Sequence, residues 1–208
     1  GSPYGPGEVA ITGCTIQHNT PSPDSANIRI FGNSDPSKQL ERVQEGNITI
    51  TGNVLSDVQH NIHLVAGQGV TIVGNTCWQG YKHNLLVEDC CSIVVGPNNF
   101  DRNPRYQYGN CLEANNGIVF QRCEDLTLQG LHITNVWREP AGLVLEECRR
   151  CNITGCTILD CDNAGMLLHQ VQHSRVSDCL IRDDRPDATS VPVLVRGGGD
   201  NRITENGT

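Results

Sequence analysis

The residues best suited to chemistry are cations set among aromatic rings. The stretch "DRNPRYQYG" (101–109) holds Arg102, Arg105, Tyr106 and Tyr108, in a chain of net charge -8 with only 4% aromatic residues. Lys82 follows Trp78 and Tyr81, and Arg138 follows Trp137. Ammonium and guanidinium groups lining a cleft draw in anions. Flat rings stack on sugar faces while their edges stay wet. A chain of acidic sugars satisfies both, so an acidic polysaccharide is the expected partner, bound by a monomer.

Composition narrows the scaffold that must hold these groups. The 208 residues are enough for one domain with a substantial core. With 37% hydrophobic residues, 22 glycines and a single methionine, that core must come from Ile, Val and Leu on short strands with many turns. The acidic balance argues against nucleic acid, which calls for a broad basic face. No apolar run is long enough to span a membrane. The chain reads as one domain over 1–208, a piece of a longer protein exported to the periplasm or cell exterior.

Stacking similar stretches reveals the organisation. "ITGCTI" (11–16), "ITGNVL" (50–55), "IVGNTC" (72–77), "VVGPNN" (94–99), "LQGLHI" (128–133), "ITGCTI" (153–158) and "VSDCLI" (176–181) repeat one motif. A second motif interleaves with it: "NIRI" (27–30), "NIHL" (61–64), "NLLV" (84–87), "GIVF" (117–120), "GLVL" (142–145), "GMLL" (165–168) and "PVLV" (192–195). Each is a short strand of period two. One unit cannot bury its apolar face alone, but a stack of them makes a continuous core. With no helix between the strands, the pattern predicts an all-β fold, a right-handed parallel β-helix of about seven coils.

The stack also orders the eleven cysteines. Cys90, Cys123 and Cys148 fall in one column; Cys14, Cys156 and Cys179 fall in another, where Asn53 and Asn75 stand on other coils. Parallel strands in register point neighbouring side chains the same way, which suits a disulfide poorly. Small buried thiols are the expectation. The Cys148-Arg149-Arg150-Cys151 pair has no second pair at zinc-site spacing.

Register gathers the cations as well. His60, Lys82 and Arg138 stand at one offset from their motif starts, and Arg102 falls close to that column if one extra residue in "GPNNF" is allowed. A ridge of His, Lys, Arg and Arg along one edge is predicted, rimmed by Trp78, Tyr81, Tyr106 and Trp137. His63, Arg105 and Gln107 are further substrate-binding candidates.

Residues 70–109 resemble the active-site coils of the pectate lyase family, β-helix enzymes that cleave polygalacturonate by β-elimination. Lys82, just before "NLLV", matches the family's substrate-binding lysine. Arg102, Pro104 and Gly109 match its R-x-P-x-x-R-x-G motif, whose first arginine is the family's proposed base. The second motif arginine is Gln107 here, with Arg105 as a substitute. The resemblance implies that Lys82 neutralises charge growing on the uronate carboxylate while Arg102 takes the C5 proton. It also implies a calcium cofactor, yet the aligned positions Phe31, Gly32, Gln59 and His63 carry no carboxylate, and Asp35 and Asp57 lie at other offsets.

The resemblance therefore leads to a polysaccharide lyase with catalytic Lys82 and Arg102. The alternative is a non-catalytic β-helix module, for glycan binding or scaffolding, that has lost the calcium site. A hydrolase would need clustered carboxylates, for which Asp160, Asp162, Asp183 and Asp184 are the candidates. Acids at such turns are more often turn formers.

Overall fold

The computed structural model describes residues 7–18, 22–32, 45–102, 111–204 and 206–207. Among these, the strands form three parallel sheets of eight, seven and seven strands. The chain visits them in rotation. The second coil, for example, runs through Glu45–Thr51 of the first sheet, Val54–Leu55 of the second and Val58–Val65 of the third. The next repeats the path through Gly67–Val73, Thr76–Cys77 and Gly80–Glu88. This is a parallel β-helix solenoid, as the repeats predict.

The first motif proves to be two strands with a corner between them. In "ITGNVL" the first-sheet strand ends at Thr51 and the second-sheet strand starts at Val54. Gly52, at the corner, has φ +66° with nothing near its missing Cβ. Backbone conformation, not space, therefore calls for glycine there; a left-handed L-residue costs about 1–2 kcal/mol. Gly155 repeats the arrangement at φ +62°. The corner from the third sheet to the first also uses the left-handed region, with Ala66, Asp89, Arg122, Glu147 and Gln170 at φ 51–54°. The second-to-third corner varies in length and is longest between the strands ending at Phe100 and starting at Gly117.

The core is the stack of inward residues: Ile50, Ile72, Leu128 and Ile153 from the first sheet, Leu55, Phe100, Ile133 and Ile158 from the second, and Ile62, Leu85, Ile118 and Leu143 from the third. The second motif stacks as its sequence predicts, with Ile28, Ile62, Leu85 and Ile118 in register. One coil of the first motif needs correction. Val95, not Val94, aligns with Ile72 and Leu128. Val94 is 43% exposed and Val95 fully buried, because a slip of one residue exchanges the two faces of a strand. Pro97, whose carbonyl accepts from Gly74 N at 2.6 Å, takes the corner that glycine takes elsewhere, so "GPNNF" contains no extra residue.

Ladders of stacked polar side chains run beside the core. Asn53 Oδ1 accepts from Cys14 N, Asn75 Oδ1 from Asn53 N, and Asn98 Oδ1 from Asn75 N, at 2.9–3.0 Å. Each side-chain amide also donates to the next Oδ1, at 2.9 Å. Further along the same column, cysteine replaces asparagine. Asn98 Nδ2 donates to the carbonyl two residues back at 2.9 Å, and the Cys179 thiol does the same at 3.3 Å. In the other column Cys90, Cys123 and Cys148 each donate to the carbonyl two residues back, at 3.1–3.3 Å. All eleven cysteines are free thiols, and Cys14 is the exposed one.

Asn75 is 1% exposed and engages both ends of its amide. Asn75→Ala leaves the Asn53 N–H buried and unpaired, and is expected to lose about 2 kcal/mol in urea unfolding. Asn75→Cys restores a donor to the turn and is expected to lose measurably less.

Candidate functional site

A cluster of polar groups with perturbed environments meets where the chain enters the third sheet. An irregularity between Val58 and His60 shifts the register there, so His60 pairs with His83 rather than with Lys82. Their rings stack 5.1 Å apart at 13°, with the two Nδ1 atoms 3.1 Å apart. His63 also stacks on His60, at 5.2 Å and 28°. Its Nε2 meets Glu88 Oε2 at 2.9 Å, while its buried Nδ1 has no partner among the described residues.

Charged groups surround this stack. Lys82 Nζ donates to Asp24 Oδ1 at 2.5 Å, and both side chains are exposed. His60 Nε2 lies 4.0 Å from the same oxygen. Glu139 accepts from Asn115 Nδ2 at 2.9 Å, and burial raises its carboxyl above the usual range. Gly117 makes room for the assembly: a Cβ there would stand 2.9 Å from His83 Cδ2 and 3.3 Å from Glu139 Cδ. Burial first, then the neighbouring charges, pushes His60 and His83 down to about 4. At neutral pH they form an uncharged pair in which one Nδ1–H donates to the other Nδ1.

Arg102 and Arg138 do not face a groove. Arg102 is 3% exposed, folded into the interior. Its Nε donates to Asn135 O, its Nη1 to Cys111 O and its Nη2 to Ala114 O, at 2.6–3.0 Å. The guanidinium lies 3.5 Å from the Trp137 ring centroid. Burial pulls its pKa down to about 10, so it stays a cation at neutral pH. Arg138 is exposed, but it donates to Glu113 O and Leu112 O at 2.9 and 2.6 Å. Both arginines thus brace the short 3-10 turn Cys111–Glu113, which precedes the third-sheet strand Gly117–Gln121. The reason is general: a turn returning from an excursion exposes carbonyls that no neighbouring coil covers, and arginine supplies several donors at once.

The predicted ridge therefore separates into an imidazole pair, an ion-paired lysine and two braces. Trp78 is buried, and one face of Trp137 is taken by Arg102. Tyr81 is half-buried, its hydroxyl accepting from Gln79 Nε2 at 2.9 Å. Arg105, Tyr106, Gln107, Tyr108 and Asp35 lie outside the described residues. His83, Asp24 and Glu139 were not singled out by sequence; the register shift that joins His83 to His60 has no sequence signature. Three of the four carboxylates considered for hydrolysis, Asp162, Asp183 and Asp184, are ion-paired. Arg185 contacts Asp162 at 2.8 Å and Asp183 at 2.7 Å, holding Asp183 down at about 2, opposite to what a general acid needs. Asp160 accepts from Asp184 N at 2.9 Å, as a turn former does.

Three stacked parallel sheets and a column of side chains at their corner define a parallel β-helix solenoid protein. Residues 8–207 match the family model described as "Periplasmic copper-binding protein (NosD)", and the chain belongs to that family. No curated protein and no solved structure matches it. The similarity to pectate lyases thus extends to the β-helix, while the family is NosD. Its description agrees with the expected location outside the cytoplasm, and no helix among the described residues is long and apolar enough to cross a membrane. It names copper, not the calcium that the lyase resemblance implied. Copper(I) favours thiolate and imidazole donors. Here the Cys90, Cys123 and Cys148 thiols are buried and donate to carbonyls, and His60 and His83 offer two facing nitrogens. No group of three or more His, Cys, Asp or Glu among the described residues could hold a metal ion, so none of them is assigned to copper.

Two measurements test this picture. Arg102→Gln removes a buried charge from three carbonyls, and is expected to lower unfolding free energy by roughly 3 kcal/mol. A catalytic residue facing a groove would leave stability nearly unchanged. For His60 and His83 the folded values near 4 lie below the ordinary 6.5, so the unfolded chain takes up these protons first as pH falls. Their contribution is full above 6.5 and drains away toward pH 4. The urea midpoint is expected to drop across that window, and a His60→Gln/His83→Gln double variant to show a flatter profile.

Proposed function

We propose that this chain is a non-catalytic β-helix module that holds an acidic polysaccharide against its coils without cleaving it. The observation that carries this reading is the position of Arg102. β-Elimination needs a base that reaches C5 of the sugar, and this guanidinium is spent on three main-chain carbonyls inside the protein. Lys82, by contrast, remains at the surface. Its partner Asp24 is also exposed, and a uronate carboxylate can take the place of Asp24 beside the ammonium.

The family description adds copper as a ligand of its members, but the described residues lack a donor set for it, so copper does not enter this reading.

The test uses polygalacturonate with and without calcium. No rise in the ultraviolet absorbance of an unsaturated uronate is expected in either case. Retardation in a polyuronate-containing native gel is expected, and Lys82→Ala is expected to reduce it. An unsaturated product would overturn the non-catalytic reading; unretarded migration of the parent protein would overturn the glycan.

A further inference from the structure

The outer face of the first sheet carries one column of residues in strict register: Thr49, Thr71, Val94, Thr127, Asn152, Arg175 and Arg202. The column is uncharged until its last two members. Arg175 and Arg202 are then direct cross-strand partners, both exposed. Like charges placed directly opposite one another destabilise a sheet. In parallel strands about 4.8 Å apart both side chains leave the sheet in the same direction.

What sets this pair apart is that neither guanidinium is engaged among the described residues. Other described arginines, Arg196 excepted, either serve main-chain carbonyls, as Arg29, Arg102 and Arg138 do, or meet carboxylates. Arg149 and Arg150 pair with Glu124 and Asp125, Arg122 with Asp89, and Arg185 with Asp162 and Asp183. Among the described residues neither Arg175 nor Arg202 has a carboxylate within ion-pair distance. Asn152, the next residue in the column, is exposed, and its amide makes no hydrogen bond among them. Arg196 is likewise without a carboxylate, but its cross-strand neighbour is His169 and not a second arginine. A shallow depression adjoins the pair, lined by Arg150, Asn152, His173, Ser174, Arg175 and Asp200. Its carboxylate, Asp200, is turned to His173, 3.3 Å from Nδ1.

We infer that Arg175 and Arg202, with the Asn152 amide beside them, form an oxyanion-binding site. The ligand class is a tetrahedral or planar oxyanion: sulfate, phosphate or carboxylate. Two guanidiniums on neighbouring strands offer forked N–H pairs to such a group. The anion removes the repulsion between them, and the amide N–H can take a further oxygen. The site lies on the first sheet, whereas Lys82 lies on the third, so it stands apart from the glycan reading above.

The test is thermal unfolding at fixed ionic strength, with chloride replaced in turn by inorganic sulfate, phosphate and a galacturonate oligomer. The melting temperature of the parent protein is expected to rise with sulfate or phosphate. Arg175→Gln/Arg202→Gln is expected to bind sulfate about tenfold more weakly or worse. Arg202→Lys, which keeps the charge but loses the fork, should fall between. In low salt without oxyanion, Arg202→Gln alone is expected to melt higher than the parent, because the opposed charge is gone. A rise with the oligomer but not with sulfate, abolished in the double variant, would still place the site on these arginines and assign it to a carboxylate chain. Equal responses of parent and double variant to every anion would overturn the inference. Polyuronate retardation that survives in the double variant but falls in Lys82→Ala leaves the two proposals separable.

Discussion

In-register stacking governs this molecule. Each side chain has a counterpart directly above and below it, roughly 4.8 Å away, so every position must accept what stands beside it. Aliphatic residues meet that demand by packing. Polar residues meet it only if each can donate in one direction and accept in the other. The Asn53–Asn75–Asn98 series does so with one amide per coil. Cysteine can occupy the same column because its thiol reaches the carbonyl that the asparagine amide would otherwise take.

The same constraint separates what was legible in the sequence from what was not. The second motif and both cysteine columns could be read, because a residue class recurring at one offset directly implies a stack. Val94 and Val95 could not be told apart, since both are valines and only their exposure distinguishes them. The pairing of His60 with His83 depends on an irregularity within a strand, which leaves no compositional mark. Arg102 is a different failure. Its column was nearly right, but a side chain at a corner can turn inward or outward, and the carbonyls of Cys111 and Ala114 that draw it inward, nine and twelve residues on, carry no mark in the sequence.

A solenoid with variable corners faces a recurring problem: each long excursion interrupts the ladder that would have covered its ends. Here the interruption is repaired from both sides, by Arg102 on one coil and Arg138 on the next. Arginines that resemble a binding ridge thereby serve the architecture, and the third sheet beside them is left with an uncharged imidazole pair. Where a coil closes without an excursion, as around Arg175, arginines have no carbonyls to serve and remain in water. The contrast explains how similar residues take opposite roles within one acidic chain.

The thiol columns carry a consequence for biogenesis. A periplasmic chain meets an oxidising compartment while still unfolded, when any two of its eleven cysteines can find each other. Docking of each successive coil removes one more sulfur from that hazard. Maturation is thus a race between winding and oxidation, and a coil that seats slowly puts the whole chain at risk of being trapped in a crosslinked, unwound form.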